Sequence, residues 1–294
     1  MPVAPDRFRA ILARDACTNA APIFDPLSAR IADMTGWEVC KLSGSFGKFA
    51  NLAVPDGVPL ANASDLVDLC WRIKRVCDAP LIVDADDGGG NALTVARTVR
   101  ELEMAGAAAI EIEDNLVPAA FGRAERRHAL MLSEEEQVGK LEAAVAARHR
   151  PETVIVARTS ALSELPRSEA LRRIAAYSRS GAEALMFPEL PGGAADLPEI
   201  AAVTTLPLFV LGLPSDTFRD RALIAASRLR IRFLPHIPYR MAVQAITAAL
   251  DHLAQGGDLE GLGERQAPEG LLRKVDRTAE TERWQGRFLR SPTP

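Results

Sequence analysis

The sequence predicts an α/β protein, a (β/α)8 TIM-type barrel, and three observations carry that expectation. Short apolar runs rich in β-branched residues alternate with stretches of helical period about eight times along the chain. Polar residues stand at the C-terminal ends of those runs, the ends that share one mouth in a parallel barrel. The chain has 294 residues, long for an ordinary domain but ample for a barrel, which needs about 250. No G-x-G-x-x-G follows the first run, so a dinucleotide-binding open sheet is the weaker reading.

Pro5 to Leu12 reads as a leading helix and Asn19 to Phe24 as a short strand ending at Asp25-Pro26. Ser28 to Met34 is the next helix, and Trp37 to Leu42 is a strand closing on Ser43-Gly44-Ser45. A loop through Val54-Pro55-Asp56 leads to a helix capped near Ser64 and running to about Val76. From Leu81 a buried strand delivers Asp84, Asp86 and Asp87 to its end. Three glycines and Asn91 then turn the chain into a helix over Ala92 to Glu103. Ala107 to Asp114 repeats the form, with Glu111, Glu113 and Asp114 near its end. The irregular, polar segment Asn115 to Met131 comes after an acidic strand end, the placement expected of a lid. Ser133 and Glu136 form a capping box for a helix reaching Arg148.

The second half keeps the rhythm. Strands are expected at Thr153 to Ala157 (then Arg158-Thr159-Ser160), Ala182 to Phe187 (then Pro188-Glu189), Leu206 to Leu211, and Leu229 to Leu234 (then Pro235-His236). Helices are expected at Arg167 to Arg179, Leu197 to Val203, Asp216 to Ser227 and Tyr239 to Leu253. We therefore expect a barrel domain over residues 1–255. Residues 256–294 read as a helical tail around Trp284 and Phe288, too small for a core of its own, that packs on the barrel or on a neighbouring subunit.

Composition removes whole classes of function. Hydrophobic residues make up 48% and charged ones 25%, enough for a large core. The formal net charge is −4 with no dense Lys/Arg stripe, which argues against nucleic acid as partner. The four cysteines form no CxxC pair and no metal pattern with the histidines, and read as reduced thiols of a cytoplasmic protein. No apolar run reaches membrane-spanning length, and the first residues lack a signal peptide's apolar core.

The chemistry concentrates in LIVDADDGGGN and AAAIEIED. Two neighbouring strands aim carboxylates at one point, and crowded carboxylates at low dielectric repel unless something positive sits among them. A hard, oxygen-seeking cation such as Mg²⁺ answers that need. In a barrel, Asp25, Ser45, Asp84, Asp86, Glu113, Arg158, Glu189 and His236 would converge on the mouth. The bland alternative is that strand ends carry polar residues anyway.

FDPLSAR, GS, VDADDGGGN, IEIEDN, ART and the final PH, in that spaced order, resemble the phosphoenolpyruvate mutase/isocitrate lyase superfamily over nearly the whole chain. LVPAAFGR after IED and the histidine after the last strand are most similar to its oxaloacetate decarboxylase branch. The resemblance implies a (β/α)8 barrel whose last helix is exchanged between subunits, a homotetramer built as a dimer of dimers, and Mg²⁺ (Mn²⁺ as substitute) holding a 2-oxo acid. By the same resemblance Asp84 ligates the metal, Asp86 and Glu113 hold its waters, and Asp56 is a further candidate for that role. Ser45 with the Gly44 backbone contacts the substrate carboxylate and 2-oxo group, Arg158 clamps a carboxylate, and His236 touches substrate. The residues have plainer alternatives: a solvated strand end for Asp86 and Glu113, and the favoured one for Asp87; a turn serine; an ion pair of Arg158 with Glu189 or Glu113; a helix-cap neighbour for His236.

The activity this implies is that of a Mg²⁺-dependent carbon–carbon lyase. Cleavage beside a ketone leaves an enolate, and a Lewis acid at the ketone oxygen with Arg158 and Ser45 around it would stabilise that charge. Decarboxylation of oxaloacetate to pyruvate and CO2 is favoured, because the lid segment lacks the cysteine of the isocitrate lyase relatives and has Asn115 where phosphonomutases carry lysine. The alternatives are a phosphonomutase or phosphonopyruvate-type reaction, another 2-oxo or 2-hydroxy acid lyase, or a non-catalytic metabolite-binding barrel. Four departures from the family pattern bear on substrate: Asp87, Ser160, the MFPE around Glu189, and Gly89 in place of an aromatic, which loosens one wall of the pocket.

Overall fold

A computed structural model of the chain describes residues 4–54, 61–115, 130–258 and 260–289. Eight strands, each hydrogen-bonded in parallel to the next in sequence order, close into a barrel when β8 pairs with β1. The strands are β1 (Thr18–Ile23), β2 (Cys40–Leu42), β3 (Leu81–Asp84), β4 (Ala109–Glu113), β5 (Val154–Arg158), β6 (Ala184–Phe187), β7 (Leu208–Val210) and β8 (Leu229–Phe233). The helices are α1 (Ala4–Leu12), α2 (Pro26–Met34), α3 (Gly44–Leu52), α4 (Ala63–Lys74), α5 (Ala92–Met104), α6 (Glu134–Ala147), α7 (Ala161–Glu164), α8 (Arg167–Tyr177), α9 (Asp196–Val203), α10 (Arg221–Ser227), α11 (Ile237–Ala254), α12 (Glu269–Val275) and α13 (Thr278–Phe288).

The period of two along each strand splits the core in two. Residues such as Cys40, Leu42, Leu81, Val83, Ile110 and Ile112 face the surrounding helices, while Ile82, Ala109, Val154, Val156, Phe209 and Ile231 fill the barrel axis. Helix α1 closes the N-terminal end, its Phe8 packing edge-on against Phe209 at a centroid distance of 6.1 Å. The axis is therefore apolar at one end, and its charged residues collect at the other.

Helix starts are set by local hydrogen bonds. Asn62 caps α4 through the amides of Ser64 and Asp65, slightly ahead of the expected cap, and Asn91 caps α5 through those of Leu93 and Thr94. Ser133 accepts from the Glu136 amide at the start of α6. Helix α3 differs from the sequence expectation of a loop. Its segment GSFGKFANL carries two glycines and no side-chain cap, so propensity is weak and packing forms the helix. A Cβ on Gly47 would stand 3.1 Å from Leu69 of α4. Strand β2 is shorter than expected, beginning at Cys40 instead of Trp37.

The tail is two helices instead of one piece, broken at Arg277, whose φ is +59°. Helix α12 rests on α2, where Arg30 donates to the carbonyls of Lys274 and Val275. Helices α11 and α13 contain no buried residue. No described helix is long and apolar enough to cross a membrane.

Candidate active site

Four carboxylates and two cations line the C-terminal end of the barrel axis. Parallel registration places Asp84 beside Glu111 and Glu113 beside Arg158. The inward face of β4 thus presents Glu111 below and Glu113 above. Arg158 donates from Nη1 to Asp84, and its Nε lies 3.1 Å from Glu113 Oε2. Lys41, the inward residue of β2, contacts Glu111, lies 4.0 Å from Asp84 Oδ2, and sits 4.8 Å from the ring centre of Phe233. All of these side chains are nearly withdrawn from solvent except Arg158, which is partly exposed toward the mouth.

Asp86 completes the group from the turn after β3. Its φ of +50° is a left-handed conformation that aspartate tolerates better than most residues, at a cost of about 1–3 kcal/mol. That backbone turn is held by an Asp86 N–H to Asp84 Oδ1 bond of 3.2 Å and by the Asp86 carbonyl accepting the Glu113 amide at 2.9 Å. Its carboxylate takes the Lys48 ammonium of α3 at 2.6 Å. It also explains Gly44, since a Cβ there would fall 2.6 Å from Asp86 Oδ1. Gly44 and Ser45 open the first turn of α3, so their amides belong to a helix N-terminus, where donors lack intrahelical acceptors and a carboxylate is favoured.

Burial and neighbours set the charge states. Burial alone would push the Asp84 carboxyl up, but Arg158 and Lys41 together hold it well below the usual carboxylate range. Burial pushes Glu113 up to about 7; Arg158 opposes this, and Asp84, Asp86 and Asp114 add to it. Glu111 and Asp86 are also raised, mainly by burial, against the pull of Lys41 and Lys48 respectively. His236, just beyond β8, is lowered to about 4 by burial and by the Lys41 ammonium. At neutral pH it is a neutral imidazole.

Of the sequence-predicted residues, Asp84, Asp86, Glu113 and Arg158 are brought together, with Gly44 and Ser45 on the adjoining helix start and His236 within the field of Lys41 and Asp84. Three others are occupied elsewhere. Asp25 caps α2, accepting the Ser28 amide at 2.7 Å. Asp114 points away from the axis, accepting from Thr159 Oγ1 at 2.6 Å and from the Tyr177 hydroxyl at 2.9 Å. Glu189 lies outside the ion-pair cluster and accepts from Ser163. Asp87 accepts the Gly89 amide at 2.9 Å in the turn after β3 and is buried, so it is a turn residue but not the solvated strand end expected as its plainer alternative. Asp56 lies outside the described residues, as do residues 116–129 of the expected lid; its stems meet in an Asn115–Met131 antiparallel bridge. Glu111, already read near its strand end, joins the cluster through Lys41; Lys41 and Lys48 are the additions, and the period of two in the β2 run is the available signal for Lys41.

The donor set suits a hard cation. Asp84, Asp86 and Glu113 offer oxygen only, and they crowd closely enough for each to raise or resist its neighbour's ionisation. Among the described residues no three acid, histidine or cysteine side chains form a ready cage. Mg²⁺ does not require one, because it binds through one or two carboxylates and keeps several waters.

The chain is similar to known proteins over nearly its whole length. The family described as phosphoenolpyruvate phosphomutase matches residues 8–254. An oxaloacetate decarboxylase of Rhodopseudomonas palustris (strain BisB18) is 41% identical over 271 residues, covering 91% of this chain and 92% of that protein. One from Bradyrhizobium diazoefficiens is 37% identical over 277 residues, covering 94% of each. A crystal structure of phosphonopyruvate hydrolase in complex with oxalate and Mg²⁺ superposes with a TM-score of 0.81 at 26% identity, covering 98% of this chain and 100% of that one. With the barrel, the acidic strand ends and a match over nearly its full length, the chain belongs to the phosphoenolpyruvate phosphomutase family, within the PEP mutase/isocitrate lyase superfamily.

Proposed function

We propose that this protein decarboxylates oxaloacetate, or a close 2-oxo dicarboxylate, to pyruvate and CO2 with Mg²⁺ as cofactor and Mn²⁺ as substitute. The observation that carries the reading is Arg158, placed between Asp84 and Glu113 at the mouth that the helix start bearing Gly44 and Ser45 adjoins. The relatives named as oxaloacetate decarboxylases support it. Asp84 would hold the metal directly and Asp86 and Glu113 its waters. When bound, Mg²⁺ supplies a Lewis acid at the ketone oxygen.

The chain's own residues do the rest. Arg158 offers a planar fork to a substrate carboxylate, and the Gly44 and Ser45 amides receive the 1-carboxylate and 2-oxo end. The neutral His236 can hydrogen-bond the substrate without adding positive charge beside Lys41 and Arg158. The electron pair of the broken bond moves toward the ketone oxygen, CO2 departs without needing an acid, and one proton added at carbon completes pyruvate. The test is pyruvate release from oxaloacetate with and without Mg²⁺, beside Asp84→Ala. A phosphonopyruvate-type reaction is the alternative, favoured by the similarity to phosphonopyruvate hydrolase, and phosphonopyruvate in the same assay decides between them.

We further propose that residues 1–255 form the catalytic barrel, and that α11 with the tail from 256 engages neighbouring subunits in a homotetramer with exchanged last helices. Supporting this, α11 exposes Met241, Ile246 and Leu250 at 59–66%, and α13 exposes Trp284 and Phe288 at 62% and 64%. Light scattering of the protein and of Met241→Glu/Ile246→Glu tests it: a tetramer lost in the variant is the expected result.

A further inference from the structure

The charged cluster continues one step down the axis from the mouth. Lys41 is in register with Ile82, one inward position below Asp84, and Glu111 is in register with Asp84 itself. Around them the axis is filled by apolar side chains such as Ala109, Val156, Phe209 and Ile231. Lys41 is 5% exposed and Glu111 0%. Taking two charges out of water is costly, and a buried ion pair is often no better for stability than apolar residues of the same volume. Folding alone therefore does not call for a pair at this depth.

The pair has a direction. From its low start on β2 the Lys41 side chain runs toward the mouth, where its Nζ contacts Glu111 and lies 4.0 Å from Asp84 Oδ2. Its charge, with burial, is also what keeps His236 beyond β8 a neutral imidazole. The ammonium is thus presented to the side of the site that Asp84 and His236 share. Glu111 and the Phe233 ring, 4.8 Å away at its centre, fix it there. Arg158 is more exposed, its side chain at 21% against 7% for Lys41, and in the proposed reaction it clamps the carboxylate that departs.

Decarboxylation moves charge across this arrangement. The C3–C4 bond breaks, its electron pair becomes the C2–C3 double bond, and the negative charge of the departing carboxylate arrives on the 2-oxo oxygen. A cation fixed at the receiving end stabilises that charge after it has moved and does little before, which is the condition for accelerating the step. We infer that Lys41 is a further positioning residue of this reaction: held by Glu111, it places a fixed positive charge beneath Asp84 that favours the enolate over the intact 2-oxo dicarboxylate. The inference rests on the decarboxylase reading for its reaction, but its physical content is a binding preference, which can be read without turnover.

The experiment compares the full chain with Lys41→Met/Glu111→Gln, which removes both charges and strands neither, and with Lys41→Arg, which keeps the cation. Urea denaturation verifies that each variant is folded. Steady-state kinetics gives kcat and KM for oxaloacetate in Mg²⁺, and calorimetry gives the binding of oxalate and of malate in Mg²⁺. Oxalate has the planar shape and two negative charges of the pyruvate enolate, whereas malate has the two carboxylates of the substrate and an uncharged oxygen on C2. In the double variant kcat and oxalate affinity should each fall about tenfold or more, with KM and malate affinity staying within about twofold. Lys41→Arg should recover part of both losses. Removing the Glu111 charge can only favour added negative charge, so the fall belongs to Lys41. A double variant that keeps kcat and oxalate affinity within about twofold of the unaltered protein overturns the inference. So does an equal loss for oxalate and malate, the mark of a general structural role, or a failure of oxalate to bind the unaltered protein. If no CO2 is released from oxaloacetate yet the double variant loses oxalate and keeps malate, the decarboxylase reading fails and Lys41 stands as the cation of an enolate-binding site.

Discussion

Arg158 and Glu113 are register partners across β4 and β5, and the guanidinium Nε of one lies 3.1 Å from the carboxylate of the other. The pairing is a consequence of strand geometry: two inward positions at the same height on adjacent strands cannot avoid each other. The same guanidinium reaches Asp84 on β3, so one side chain ties three strands at the mouth. Replacing it with an apolar residue of similar length removes both the proposed carboxylate clamp and the counter-charge of two buried acids. Arg158→Met is expected to lower kcat/KM by about 10²-fold or more, and Arg158→Lys to recover only part of it, because an ammonium cannot form the two-pronged contact. Steady-state kinetics on both variants checks this.

The deeper pair predicts a stability effect. Lys41→Met leaves Glu111 buried without its cation and should destabilise the protein by about 3 kcal/mol. The double variant Lys41→Met/Glu111→Gln removes the stranded charge and should recover most of that loss. Urea denaturation of the two singles and the double gives the coupling directly; additive losses would mean the pair does not interact in the folded chain.

Glu113 and His236 should show opposite pH signatures. From pH 4.5 to about 7 the folded chain keeps a proton on Glu113 that the unfolded chain has released, so this group's contribution falls as pH rises. From about pH 4 to 6.5 the unfolded chain carries a proton on His236 that the folded chain lacks, so that contribution rises with pH. Thermal melting of metal-free protein across about pH 4–8 reads both as differences from the unaltered protein. Glu113→Gln should gain stability relative to it as pH increases, and His236→Asn should gain as pH decreases.

Off the axis, Asp114 joins the ends of β4 and β5 to α8. It accepts from Thr159 and Tyr177, while Arg173 donates to the Leu132 carbonyl at 2.7 Å just past the expected lid segment. Tyr177→Phe and Thr159→Val should each cost about 1–3 kcal/mol, measurable by denaturation, because each withdraws a donor from a fully buried carboxylate.

The barrel is legible in the sequence because its strands are short apolar runs at regular intervals, each ending in a polar residue. The acid cluster is legible for the same reason, Asp84 and Glu113 standing at strand ends. Asp114 looks equivalent to Glu113 in the sequence, yet alternation along Ala109–Glu113 sends 111 and 113 inward and 114 outward, where Tyr177 meets it. Lys41 is harder to read, because one charge in an apolar run acquires meaning only when the inside of the barrel is assigned, with Cys40 and Leu42 facing the helices. Helix α3 cannot be read from GSFGKFANL, since packing on Leu42 and Leu69 supplies what its two glycines withhold. Asp25 carries a local signal for its role, since Asp-Pro-Leu-Ser has the spacing of an N-cap, a first-turn proline and a capping box, whereas the role of Glu189 depends on Ser163 from a separate element, which residue spacing does not specify.

In the proposed reaction the acid at the end of β3 holds a divalent ion against a 2-oxo acid. The most direct measurement is the rate of CO2 and pyruvate formation from oxaloacetate by the unaltered protein and by Asp84→Asn, at equal Mg²⁺ and after chelation. Turnover well above the rate in Mg²⁺ buffer, lost on chelation and in Asp84→Asn, is expected. A rate no faster than free Mg²⁺ in buffer, or one that Asp84→Asn leaves unchanged, would contradict it.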